Sequence, residues 1–316
     1  MPQTLANPQA PTLIRDRSVY RQWDTPAPLR LWHLASLDAP TVAVIWTLGF
    51  AWAANVHLPP WVPLLLALVT WTVYIADRLL DARGSIRTGT THRLRLRHRF
   101  HWRHRRIFIP LAVAATCAAV WIVFFLMPPA ARERNSVLAA AALTYFTRVH
   151  SNRNLPPFAA PTLPSLLSQL LSKELLVAIL FTAACALPSI SRLSANAALL
   201  PLLTSAVFFA LLAWLNCHAI EKWESIECES DPRPPAKTQI LPLAIVLGLI
   251  GSLLAASLFA FQPRAAALLA AGAASTLLLA LLDRLRSRLT PLALRTTADL
   301  VLLTPLLFLL VELHYP

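Results

Sequence analysis

From residue 36 onward the chain alternates between long apolar runs and short breaks rich in charge or proline. The runs fall near 36–56, 61–80, 107–127, 133–149, 171–187, 196–216, 239–261, 264–283 and 297–313. Most approach the roughly 20 residues that carry a helix across the hydrocarbon of a bilayer. Lipid offers a backbone N–H or C=O no partner, so each run is expected to be a helix that satisfies its own backbone. The fourth run is short and alanine-rich. Only Gln262 and Pro263 part the seventh from the eighth, which predicts a tight helical hairpin. The expected fold class is therefore all-α, a polytopic membrane protein with about nine transmembrane helices. Residues 1–30 read as a flexible cytoplasmic tail with five prolines and no apolar stretch of the signal-peptide kind. Residues 31–316 read as a single transmembrane helical domain.

Composition agrees with this pattern. Of 316 residues, 57% are apolar and 14% charged, with a mean hydropathy of +0.57; a soluble domain carries about 25% charge. The net charge of +13 does not mark a nucleic-acid binder, because the basic residues lie between apolar runs and not on one soluble basic domain. They read instead as topology signals. The segments before the first run and after the second, fourth, sixth and eighth hold 24 of the 28 Lys and Arg; the opposite side has only Arg132, Arg134, Arg192 and Arg264. This asymmetry places the N-terminus in the cytoplasm and the C-terminus on the far side, in what we expect to be a bacterial inner membrane. Cys117 and Cys185 lie within apolar runs, and Cys217 and Cys228 near the basic side without the paired spacing of a zinc motif, so neither a disulfide framework nor a zinc site is expected.

Two acidic segments stand out against these basic loops. The first is Tyr74-Ile75-Ala76-Asp77-Arg78-Leu79-Leu80-Asp81-Ala82-Arg83, at the end of the second run. On a helix, Asp77 and Asp81 lie one turn apart and face the same way. A carboxylate pair of this kind suits a hard divalent cation such as Mg²⁺, which in turn bridges phosphate oxygens. Arg78 and Arg83 can then meet the remaining phosphate charge. The alternative is a solvated helix end in which Asp81 pairs with Arg78.

The second segment, residues 216–231 after the sixth run, holds five of the fifteen acidic residues. If the helix continues, Asn216, Glu224 and Glu227 fall within about 80° of one another, at roughly 100° per residue. These three can form the second half of a metal site. An acidic helix end answering the nearby arginines is the competing reading.

With both segments in these positions, the chain resembles the UbiA family of intramembrane prenyltransferases, which have nine helices and Asp-rich motifs after helices 2 and 6. Asp77-Arg78-Leu79-Leu80-Asp81 matches the latter half of the family's first motif, Asn-Asp-x-x-Asp-x-x-x-Asp; Val73 and Tyr74 occupy its Asn and first Asp positions. The second motif aligns either as Asn216, Ile220, Glu224 or as Trp223, Glu227, Asp231. The resemblance implies that Asp77 and Asp81 act catalytically through Mg²⁺, and that the protein moves a prenyl group from a polyprenyl diphosphate to a lipid-soluble, aromatic-type acceptor. It also places Arg148 and Lys173 where the family carries diphosphate-binding basic residues. The incomplete motifs support a second expectation, a non-catalytic relative that binds a lipid or a membrane partner.

Two features remain. Asp38, near the start of the first run, is an ionisable group close to a membrane helix and so needs a partner, Arg30 or another helix. The run from His92 to Arg106 is the most basic in the chain. His98, His101 and His104 drift around a helix among arginines that repel a metal ion, so anionic lipid headgroups are the expected partner.

Overall fold

The computed structural model describes residues 24–87, 96–151, 173–193, 198–228 and 239–314. The described chain is helical, with no β-strand. In order, the helices are α1 (Ala27–Leu34), α2 (Asp38–Ala53), α3 (Trp61–Arg87), α4 (Leu96–Arg103), α5 (Arg105–Trp121), α6 (Pro129–Ser151), α7 (Lys173–Ile190), α8 (Leu199–Cys228), α9 (Ile240–Leu258), α10 (Pro263–Leu285), α11 (Pro291–Leu300) and α12 (Leu306–His314). One π-helical turn, Ile122–Leu126, extends α5. Of the expected tail, residues 1–23 lie outside the described residues, and 27–30 belong to α1.

Six of these helices are long and apolar enough to cross a membrane: α3, α5 with its π turn, α7, α8, α9 and α10. A seventh crossing arises if α1 and α2, bent by 88° at their junction, are taken as one span. The protein is thus of the integral membrane type. The fourth apolar run forms a helix, α6, but Arg132, Glu133, Arg134 and Asn135 occupy its first turns. The ninth is divided: Pro305, which has no N–H to continue the ladder, follows a 3₁₀ turn at Val301–Leu303 and separates α11 from α12.

The bend between α1 and α2 has a local cause. Ser36 takes a positive φ of 61°, which turns the chain back so that His33 on α1 lies beside Asp38 on α2. The turn is held by neighbours: Trp71 Nε1 of α3 donates to the Ala35 carbonyl at 3.0 Å, and Ser36 Oγ meets His101 Nε2 of α4 at 3.0 Å.

The core is packed around Trp46, which stacks on Phe209 with ring centroids 3.8 Å apart. Trp46 Nε1 also donates to the Leu302 carbonyl at 2.8 Å, while Ser275 Oγ donates to Val301 O at 2.7 Å. These side chains of α2 and α10 satisfy carbonyls freed by the 3₁₀ turn, as an apolar interior requires. The expected hairpin is present as α9 and α10. Its close approach depends on a missing side chain, since a Cβ at Gly248 would stand 2.8 Å from Thr276 Oγ1, and Gly251 and Gly272 likewise make room for Phe208 of α8, where a Cβ would stand 2.5 Å from Cζ and 2.7 Å from Cε1.

Candidate functional site

The first turns of α2 and α7, the middle of α3 and the C-terminal halves of α8 and α11 converge on one cavity of about 230 Å³. Its apolar wall includes Val42, Val177, Ala178, Phe181, Ile220 and Leu302. Its polar lining consists of five carboxylates (Asp38, Glu174, Glu221, Glu224, Asp299), three cationic groups (Arg78, Lys173, Arg295), and Tyr74, Asn216 and Cys217. The acidic excess favours a cation, or an anion accompanied by one.

Internal partners already hold most of these charges. Asp38 Oδ2 lies 2.8 Å from His33 Nδ1 and 3.9 Å from Arg78 Nη2. Asp38 Oδ1 accepts the Ala39 N–H at 3.0 Å. Arg295 pairs with Glu224 across α11 and α8. Lys173 lies 3.6 Å from Glu174 and 3.7 Å from Glu221. Asp299 Oδ1 accepts from Asn216 Nδ2 at 3.3 Å, and its Oδ2 lies 3.8 Å from His33 Nδ1. Arg78 Nη1 and Asn216 Oδ1, both in the wall, are buried without a hydrogen-bond partner. Leaving them so costs about 1–3 kcal/mol each, which a polar ligand would recover.

Helix geometry explains which expected residues reach this cavity. Tyr74 and Arg78, four apart on α3, face it together, and the Arg78 guanidinium lies 5.4 Å from the Tyr74 ring centroid. Asp77 and Asp81 lie on another flank of α3, where they group with His98 of α4; one ligand atom from each falls within 4.8 Å of the others, and His98 Nε2 is 3.6 Å from Asp81 Oδ2. Asp77 and Glu174 both act electrostatically on Tyr145, whose hydroxyl donates to the Lys173 carbonyl at 3.4 Å. The Asp77 flank is therefore near the Lys173 lip of the cavity. On α8, Asn216, Ile220 and Glu224 form the stripe that faces the cavity, whereas Trp223 turns away to donate to Asp283 of α10 at 2.8 Å. Arg83 is exposed. Arg148 and Glu227 lie on α6 and α8, but their side chains, and the whole of Asp231, fall outside the described residues.

A metal fits the Asp77 group by its donors. Two carboxylates one turn apart, completed by water or phosphate oxygens, are what Mg²⁺ takes, while His98 adds a nitrogen suited to softer divalent ions. The other two histidines of the basic run serve the fold: His101 Nδ1 donates to Arg97 O at 2.8 Å, and His104 Nδ1 lies 2.9 Å from Phe100 O. Burial, helped by the Arg78 charge, holds His101 down at about 3. It is thus neutral, with Nε2 accepting from Ser36.

Three site residues escaped the sequence reading: His33, Arg295 and Asp299. Asp299 carried a usable signal, an ionisable group at the edge of an apolar run. His33 carried none, because only the Ser36 turn brings it beside Asp38 and Asp299. Asp38, which was singled out, takes His33 and Arg78 as partners while Arg30 is exposed. Comparison with protein-family models, curated proteins and solved structures finds no match for this chain.

Proposed function

We propose that this protein is a UbiA-like prenyltransferase of the bacterial inner membrane, with nine crossings and a cytoplasmic N-terminus. On this reading it binds a polyprenyl diphosphate with Mg²⁺ and transfers the prenyl group to a lipid-soluble, aromatic-type acceptor, while the basic α4 region rests on anionic lipid headgroups. The observation that carries the reading is the cavity itself: the helices that bear the two acidic segments, α3 and α8, both line one pocket that offers charged and apolar side chains together.

The division of labour follows from the side chains. Asp77 and Asp81 would hold the metal, which when bound neutralises diphosphate charge and eases departure of the leaving group. Arg78 and Lys173 orient phosphate oxygens from the cavity side, and Asn216 offers its carbonyl to a donor on the substrate. Phe181, Val42 and Leu302 shelter the prenyl chain and keep water from an electron-deficient allylic carbon.

The test is incubation of the purified protein in lipid nanodiscs with radiolabelled prenyl diphosphates of graded length, Mg²⁺ and lipid-soluble acceptors. A Mg²⁺-dependent product that Asp77→Asn and Asp81→Asn abolish is expected; no diphosphate binding and no product at any chain length refutes the proposal. A second reading, a non-catalytic lipid-binding relative, is favoured by the pairing of Glu224 with Arg295, which occupies a carboxylate a metal would need. On that reading the two Asn variants retain both lipid binding and cellular role.

A further inference from the structure

Beside the Asp77 group, the cavity wall brings His33, Asp38 and Asp299 together, with one ligand atom from each within 4.8 Å of the others. Among its acids, Asp38 has Arg78, and Glu224 has Arg295. Asp299 accepts from the Asn216 amide at 3.3 Å, lies 3.8 Å from His33 Nδ1 and packs against the Asp38 carboxylate, with Arg295 one turn away on its own helix. A single imidazole nitrogen therefore lies within 4 Å of two carboxylates, from α2 and α11. Asp299 is the accessible member of this group. The Asp299 side chain is 17% exposed against 4% for Asp38, and the unpartnered Asn216 Oδ1 and Arg78 Nη1 share its cavity. A hydroxyl-bearing ligand suits this set: its hydrogen points to Asn216 Oδ1 or to Asp299, while Arg78 faces the phosphate.

We infer that Asp299 is the catalytic base that removes the acceptor's proton, with His33 and Asp38 as positioning residues behind it. The inference rests on the transferase reading. In the step, the allylic C–O bond breaks and its electron pair leaves with the diphosphate. A bond forms between that allylic carbon and the acceptor, and the acceptor's C–H or O–H proton passes to a carboxylate oxygen of Asp299. The charged and titratable groups facing Asp299 are His33 from α1, Asp38 from α2, Arg78 and Tyr74 from α3, Glu174 from α7, Cys217 and Glu224 from α8, and Arg295 on its own helix.

The experiment compares the full-length wild type with Asp299→Asn, Asp299→Glu and His33→Gln in nanodiscs. Three quantities are read: prenyl diphosphate affinity with Mg²⁺, single-turnover transfer across pH, and infrared titration of carboxyl groups. Asp299→Asn is expected to bind the diphosphate as wild type does, to transfer about 10²–10⁴-fold more slowly, and to lose one titrating carboxyl band. Asp299→Glu recovers part of the rate, and His33→Gln moves the pH profile of transfer along with that band. If Asp299→Asn does not assemble, the other two variants carry the same comparison. Transfer by Asp299→Asn at the wild-type rate, or a carboxyl titration that none of the variants alters, overturns the role of Asp299 alone. A wild type that neither binds prenyl diphosphate nor forms product overturns the transferase reading and this role with it.

Discussion

Neutralising Asp38 should strand a buried guanidinium. Asp38 is 3% exposed and Arg78 2% exposed, and Arg78 Nη2 stands 3.9 Å from Asp38 Oδ2. At that separation and an effective dielectric near 20, the attraction is about 4 kcal/mol, similar to the roughly 3–5 kcal/mol lost when one partner of a buried pair is removed. Asp38→Asn keeps the volume and the contact with the Ala39 amide while deleting the charge, so it isolates this term. Arg78→Met deletes the other charge and keeps an apolar stem. Each single variant should lower the midpoint of thermal unfolding in detergent by about 10 °C, at roughly 2–4 °C for each kcal/mol. The double variant leaves no stranded guanidinium and should lose at least about 2 kcal/mol less than the two single losses combined. Intrinsic fluorescence from the ten tryptophans reports the transition. Losses that add to within about 0.5 kcal/mol would refute the reasoning, since the two groups would then not sense one another.

Other consequences can be measured in the same way. Trp46→Phe keeps the ring stack on Phe209 but leaves the buried Leu302 carbonyl without its donor, a loss of about 1–3 kcal/mol visible as a lower melting temperature. Gly251→Ala pushes a methyl group into Phe208 and should destabilise by about 1–3 kcal/mol, with Phe208→Leu restoring much of the loss in the double variant. Because burial holds the His101 imidazole at about 3, against an ordinary value of 6.5, the unfolded chain binds a proton that the folded one refuses between those limits. Stability from this group is full above pH 6.5 and falls toward pH 3, by up to about 1.4 kcal/mol for each pH unit; His101→Gln should remove that part of the slope in pH-dependent melting.

How far the sequence could be read depended on the range of the physics involved. Helices were legible because each apolar run must solve its hydrogen bonding within itself, and every expected run falls on at least one helix. Span character was harder where charge and apolarity mix, as in α6, or where Pro305 divides a run. Asp38 was legible as a costly group in want of a partner. Its partner His33 was not, because the contact depends on a positive φ at Ser36. The two acidic segments lie on helices that meet at the cavity, yet the rotation of α3 turns Tyr74 and Arg78 inward and Asp77 and Asp81 toward α4. Spacing within a motif sets which residues share a face. Which neighbour that face meets is decided by long-range packing.

The divided C-terminal segment has a consequence for how the molecule is put together. The Val301 and Leu302 carbonyls receive their hydrogen bonds from Ser275 on α10 and Trp46 on α2, and until both are in place, these groups would face lipid with nothing to bond. The segment from α11 to α12 is thus a closing piece, stable only on a platform that the rest of the chain has already built. Expressed separately, residues 291–316 should fail to hold this shape alone and should regain it when the remainder of the bundle is supplied beside them.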